Sequence, residues 1–503
     1  MTQATSTASP GALPVDELDE LLAKHPFGDS DYVTSRLHAC YRRRLESIGD
    51  RLPLAREVLD ALDRADAQTR YRIVGDTVFR CAVQYLHVQI EDEIPYGIPS
   101  EHCREILRRA IRNLDAGVPG LLGPELSDHL GTASHYGWVW RDDGPETVVT
   151  DAFRDIVAAH YGLTLHTPGN DELAMVAKAV RLLEEVLPKV TRSVLSHTHL
   201  LAVFAPVGQW EGTRSSSEYK VSGTIFLNQR TLCNPWALAE HLLHESLHQQ
   251  LYDLRAGHTL LVPDFARADR PLVHSLWNMP DSTRGNHWDV HRALAAYHVY
   301  VYLALFTRAA RESDGDRQYT KRYGPIEMTG PRTALARARY LREQIGREQY
   351  RRELGPAGHR TVDWLDTVLD VVDPDPQVEE SFVHLLLDRF WREASMIRSM
   401  ASDDTIDAEV RSLIPGLLAD EVQCARSALT AIGHDPTSFD QAVETSEAQE
   451  PFERFASVRK VIAQTLLDAC PRRYELSPAR DVDEGVRDMV ERSSAVLMKA
   501  LDR

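Results

Sequence analysis

The sequence predicts a mainly α-helical protein with a small antiparallel β-sheet beside an HExxH metal-binding helix. Three observations carry that expectation. Apolar residues recur at helical intervals through most of the 503 residues. Two runs alone, His199–Ala205 (HLLAVFA) and Tyr219–Asn228 (YKVSGTIFLN), read as strands. The segment Asn234–His258 then carries His244-Glu245-Ser246-Leu247-His248 inside one continuous helical pattern.

Taken in order, residues 1–14 are rich in Thr, Ser, Ala and Pro and are expected to form a disordered tail. Residues 15–150 form an N-terminal helical region, with Tyr71–Ile90 as a core helix ended by Glu91-Asp92-Glu93 and Pro95. His87 there reads as a helix-face residue. Gly and Pro make Gly117–Pro145 a loop, in which His135-Tyr136-Gly137-Trp138-Val139-Trp140 is an aromatic cluster.

Residues 151–325 form the expected metal-binding core. It opens with an amphipathic helix over Asn170–Leu187, closed by Pro188, and continues through the two strands, which Gly, Ser and Thr residues separate. His197 and His199 near the first strand are expected to support a metal site and not to ligate. After a loop over His258–Asn286, His287–Arg308 reads as a second core helix around His291 and His298. Residues 326–503 form a C-terminal helical region, with an arginine-dense stretch over Pro331–Leu354, a short helix over Thr361–Val372 and a loop over Gly433–Phe452.

The motif helix has its own start signals. Asn234 is a favoured N-cap and Pro235 suits the first helical position. His244 and His248, four apart, lie one turn above each other on one face, so their imidazoles can converge on a divalent ion. Glu245 sits about 100° round the helix, near enough to act on water at that ion. His241 extends the same side. A core helix has little reason to carry this row of imidazoles, because buried rings need partners.

A third ligand must come from elsewhere. His298 is the leading choice, since an imidazole between Tyr297 and Val299 in so apolar a helix must be paired or liganded. His291 and the carboxylate of Asp289 compete with it. Asp253 and Asp264 lie in or beside polar segments, where exposure explains them.

Net charge of −18 argues against nucleic acid or an anionic membrane as partner. The six cysteines are scattered with no C-x-x-C pair, and the N-terminus lacks a basic start followed by an apolar run, so a cytoplasmic protein without signal peptide is expected. The most apolar segment, Ala293–Phe306, is too short to span a bilayer.

Two enzyme classes use the motif. A zinc metallopeptidase or related hydrolase adds a third protein ligand and uses Glu245 as general base. The metzincin continuation fails, because Leu251 and Leu254 stand where Gly and His would be, and no N-E-x-x-S-D helix follows. The other class is a mononuclear iron(II) oxygenase, whose three protein ligands leave positions for a 2-oxo acid and dioxygen.

Residues Val221–Phe306 resemble the HExxH family associated with modified-peptide gene clusters, described as 2-oxoglutarate-dependent β-hydroxylases of amino-acid residues. The resemblance rests on SGTIFLN before the motif, AEHLLHESLHQQL around it, SLWNMP after it and the later RALAAYHVYVYLALF, under a fifth of the chain. It implies a hydroxylase of natural-product biosynthesis that uses Fe(II) and 2-oxoglutarate. The substrate would be a peptide, carrier-bound or free amino acid.

In that family's pattern His244 and His248 take the motif-ligand positions and His298 that of the downstream histidine. Glu245 would stand beside the metal and not act as a hydrolytic base. The chain departs from the family's Arg-Pro-containing approach to the downstream histidine: it has His291-Arg292 there, and Arg270-Pro271 earlier. Arg292, with Arg230 in reserve, is therefore expected to hold the 2-oxoglutarate carboxylate, which a bidentate guanidinium suits.

Overall fold

The computed structural model describes residues 13–121, 127–129, 137–141, 146–210, 213–265, 267, 269–278, 285–314, 331–374, 382–400, 408–446, 450–469, 476 and 480–501. Most of them are helical, as expected for a mainly α protein. The chain divides into two compact units. One comprises residues 1–262, 298–334 and 354–372, and the other 263–297, 335–353 and 373–503. Residues 1–12 of the expected tail, and His135 and Tyr136 of the aromatic cluster, lie outside the described residues.

The first unit begins with α1 (Val15–Lys24), α2 (Ser30–Ile48) and α3 (Pro53–Arg64). The helix expected over Tyr71–Ile90 is two, α4 (Ala67–Gly75) and α5 (Thr77–Glu91). They meet at Asp76, whose extended backbone ends one helix and whose carboxylate accepts from the N–H groups of Val78 (2.9 Å) and Phe79 (3.2 Å) to cap the next. A carboxylate in this position outweighs the helical periodicity running through it. Helix α6 (Ser100–Ala116) closes against α3 and α5, with Phe79, Leu86, Ile106 and Leu107 fully buried between them. Helices α7 (Val148–His160), α8 (Asn170–Val186) and α9 (Pro188–Leu195) follow.

The sheet of this unit contains β1 (Ser127–His129), β2 (Trp138–Trp140), β3 (Leu165–His166), β4 (Leu200–Phe204), β5 (Ser215–Ser216) and β6 (Thr224–Asn228). Its order is β1-β2-β4-β6-β5, with β3 pairing on β4. The two runs expected to pair antiparallel, β4 and β6, are instead parallel neighbours, Leu200 opposite Thr224 and Phe204 opposite Asn228. The connection 205–223 is long enough for a crossover and deposits β5 antiparallel on the outer side of β6, so the antiparallel edge is made by a strand of two serines. Tyr219–Val221, expected as strand, forms a 3-10 turn.

Next comes α10 (Pro235–Gly257), capped by the Asn234 side chain on the N–H groups of Trp236 (3.0 Å) and Ala237 (3.1 Å). It packs against α2, α8, α9 and β6 and is buried on nearly all sides, so its periodicity is weakly amphipathic. Helix α11 (Val290–Asp314) contributes its part from His298 onward to this unit, as does the helix Pro356–Val372, which begins before the expected Thr361.

In the second unit β7 (Val273–His274) pairs antiparallel with β8 (His287–Trp288), which is why α11 starts at Val290 and not at His287. Helices α12 (Val383–Met400), α13 (Ala408–Ala431), α14 (Pro451–Ala469) and α15 (Arg480–Leu501) form a bundle. Its core holds the fully buried Arg459, paired with Glu421 at 2.5 Å and Glu393 at 3.3 Å. Thr437–Thr445 is helical inside the segment expected to be loop. Among the described residues no helix is long and apolar enough to cross a membrane.

Candidate metal centre

Helix α10 uses its three sides differently, and the division follows from 3.6 residues per turn. Ser246, Gln249 and Asp253 lie on the side that anchors the helix to the sheet. The hydroxyls of Ser246 and Thr198 are 2.7 Å apart. The Gln249 amide accepts from Gly223 N–H (2.6 Å) and donates to Thr224 carbonyl (2.9 Å). Asp253 accepts from Arg80 (2.8 Å) and lies 2.8 Å from His197 Nδ1, all three groups being buried. Burial alone would raise the Asp253 pKa; the Arg80 guanidinium and the His197 hydrogen bond hold it below the usual carboxylate value. His197 thus ties the turn before β4 to the motif helix through Asp253, which burial and pairing explain and exposure does not.

A second side carries Leu247 and Gln250. The Gln250 amide nitrogen lies 3.4 Å from both Gly28 carbonyl and Ser193 Oγ. His298 approaches here, hydrogen-bonded to the Leu247 backbone carbonyl and ringed by Tyr302 and Trp364, with centroids 5.0 and 6.2 Å away. Burial pushes its pKa down to about 3, so the ring is neutral.

The third side carries the motif. Ligand atoms of His244, Glu245 and His248 all lie within 4.8 Å of one another, with Glu245 buried and the histidines half-buried. The two imidazoles meet edge to face, centroids 4.9 Å apart, and Tyr252 stacks on His248 one turn further on. Ser217, just past β5, donates to Glu245 Oε2 at 2.6 Å. Ser215 Oγ lies 3.2 Å from His241 Nδ1. Burial, then the neighbouring His244, push the His241 pKa down to about 3, and the Arg214 charge acts in the same direction.

Of the residues expected from sequence, the structure brings together His244, Glu245 and His248. His298 is not a member of this group: it approaches α10 at Leu247. The apolar surroundings did demand a partner for it; a backbone carbonyl supplies one, while Nδ1 has no hydrogen-bond partner among the described residues. Arg230 is exposed on the turn Gln229–Cys233, its N–H donating to Asn228 Oδ1 at 2.9 Å. Arg292 belongs to the second unit, where its guanidinium lies 4.9 Å over the Trp288 ring. Asp289 is there too, 2.8 Å from Arg292 N–H and 3.6 Å from Arg270.

Sequence reasoning passed over Ser215, Ser217 and Tyr252. The run Ser215-Ser216-Ser217 read as a linker, and its one signal was its position between two strands directly before the motif helix.

The donor set fits a divalent transition metal. Two imidazoles and a carboxylate converge on one helix face, and Ser217 occupies one carboxylate oxygen while the other stays available. No protein-family model matches the chain, and comparison with curated proteins finds no similar one.

Proposed function

We propose that the protein is an iron(II)/2-oxoglutarate-dependent hydroxylase acting on an amino-acid side chain, presented in a peptide, on a carrier or free. The observation that carries this reading is the composition of the cluster: His244, His248 and Glu245 make a two-histidine, one-carboxylate set, the donor set of non-haem iron(II) oxygenases. Iron bound there supplies the dioxygen chemistry that 2-oxoglutarate decarboxylation drives. The chain's own residues hold and shape the site. The Ser217 hydroxyl fixes one oxygen of Glu245, Tyr252 backs the His248 ring, and neutral His241 borders the pair without adding charge. Arg230, in the same unit as the motif helix, stays as the candidate for the co-substrate carboxylate. A cytoplasmic setting goes with this reading, in keeping with the unpaired Cys40, Cys81, Cys103, Cys233 and Cys424.

The experiment is anaerobic reconstitution with iron(II) and 2-oxoglutarate, followed by air and quantitation of succinate. Metal-dependent succinate formation supports the reading; none with any divalent metal overturns it.

One observation favours a second reading, a zinc metallopeptidase or hydrolase of HExxH type. The short antiparallel edge strand β5 runs beside the motif helix and leads into the Ser217–Glu245 contact, a place where an extended substrate can lie along a sheet edge. Peptide cleavage by the zinc-loaded protein, without 2-oxoglutarate consumption, selects it.

A further inference from the structure

The second unit contains a cavity of about 280 Å³ that the metal centre does not use. Its most buried walls are Tyr340, Gln344, Tyr350 and Phe382, each no more than 6% exposed. The Tyr340 hydroxyl donates to the His274 carbonyl at 2.7 Å, and that of Tyr350, also in the lining, to the Leu272 carbonyl at 3.0 Å. Both phenols are thereby committed to backbone, and what they offer an occupant is ring surface. Phe382 stands edge-on to Tyr340, centroids 5.3 Å apart.

Two features set this cavity apart from a packing space. Gln344 is 6% exposed, and its side-chain amide makes no hydrogen bond to any described residue, so its two donors and one acceptor are left for the cavity it lines. Phe382 has φ of 51°, a left-handed conformation unfavourable for a bulky side chain and one that concentrates where ligands are clamped. The lining is also net positive. Arg347, at the exposed end, is matched by Glu343 at 2.7 Å, while half-buried Arg487 adds a second guanidinium whose charge reaches both Tyr340 and His274. Burial pushes the His274 pKa below its ordinary value.

We propose that this cavity is a second small-molecule site, taking a compact planar carboxylic acid: the carboxylate lies between Arg487 and the Gln344 amide, and the planar body lies against Tyr340 and Phe382. A guanidinium with an adjacent amide donor suits a carboxylate, and aromatic walls suit a flat body of this size. The assignment is independent of the metal and of the reaction at His244 and His248.

The test is calorimetric titration of the full chain, without added metal, using benzoate as probe. Benzamide, which lacks the charge, cyclohexanecarboxylate, which lacks the plane, and inorganic phosphate serve as comparisons. Benzoate binds tightest. Arg487→Gln and the isosteric Gln344→Glu, which sets a like charge against the carboxylate, each weaken it by about tenfold or more. Near-UV circular dichroism of both variants matches the wild type, and His244→Ala binds benzoate as the wild type does. No benzoate binding at millimolar concentration, phosphate or cyclohexanecarboxylate binding as tightly, or wild-type affinity in both cavity variants overturns the assignment.

Discussion

The Ser217 hydroxyl donates to Glu245 Oε2 at 2.6 Å, joining the residue that follows edge strand β5 to the carboxylate of the motif helix. A hydrogen bond to a carboxylate is worth about 1.5–3 kcal/mol, so this contact fixes which oxygen Glu245 presents to the histidines. Ser217→Ala is expected to lower turnover by about tenfold, and to lower stability by no more than that one hydrogen bond, because Ser217 itself is only partly buried. Steady-state kinetics beside a thermal melt check it; unaltered turnover means that Glu245 is held by its helix alone.

His244→Ala and His248→Ala should each lose bound divalent metal and keep their secondary structure, since the histidines are half-buried and α10 is anchored by its other sides. Glu245→Gln separates the two readings of the site. As the third donor, Glu245 takes metal content down with it; as a general base, its loss leaves metal bound and removes turnover by about 10²–10⁴-fold. Metal analysis of the three purified variants decides, and wild-type occupancy in both histidine variants removes the site.

The motif and its helix were legible because everything they need is local: an N-cap, a proline and two histidines one turn apart. The strands were legible as strands, but their direction depended on where residues 205–223 run, and no periodicity records that. The same connection hid Ser217, whose partner lies 28 residues on. His298 shows the limit most sharply. Its apolar neighbours correctly announced a partnered imidazole, yet a metal ion and a backbone carbonyl make the same demand on sequence. Only the position of the ring relative to His244 and His248 distinguishes them.

His298→Leu follows from that placement. Metal content should match the wild type, and stability at neutral pH should change little, because an apolar group of similar size replaces a ring whose single backbone bond was lost with it. The difference appears in acid. Folded His298 stays neutral down to about pH 3, whereas the unfolded ring takes a proton below its ordinary value of 6.5. Between those values the unfolded chain binds the extra proton, so stability falls as pH falls, by about 2 kcal/mol at pH 5. The variant lacks this contribution. Urea unfolding of both proteins at pH 7 and pH 5 measures it; equal losses, or metal loss from the variant, would place His298 elsewhere.

Gly75, the last residue of α4, meets the face of His199 so closely that a Cβ there would stand 1.9 Å from Cε1 and 2.1 Å from Nδ1 of the ring. The ring has no room to retreat. His199 is 6% exposed, with the Tyr71 ring 4.9 Å away, and its backbone N–H donates to the Gly223 carbonyl at 2.9 Å at the start of β4. Adding one methyl group must therefore displace α4 or the strand, and overpacking of this kind costs about 1–3 kcal/mol. The displacement reaches the metal centre, because His197 and Thr198, the two residues before His199, are those that hold Asp253 and Ser246 of α10. Gly75→Ala should lower both stability and metal affinity. His199→Ala opens a cavity of its own, but in the double variant the new methyl group occupies space the ring has left. The two substitutions together should thus destabilise by less than the sum of the separate losses, by about 1 kcal/mol or more. Denaturant unfolding of the four proteins gives the coupling; strict additivity, or a Gly75→Ala variant as stable as the wild type, would show that α4 and β4 are not locked through this contact.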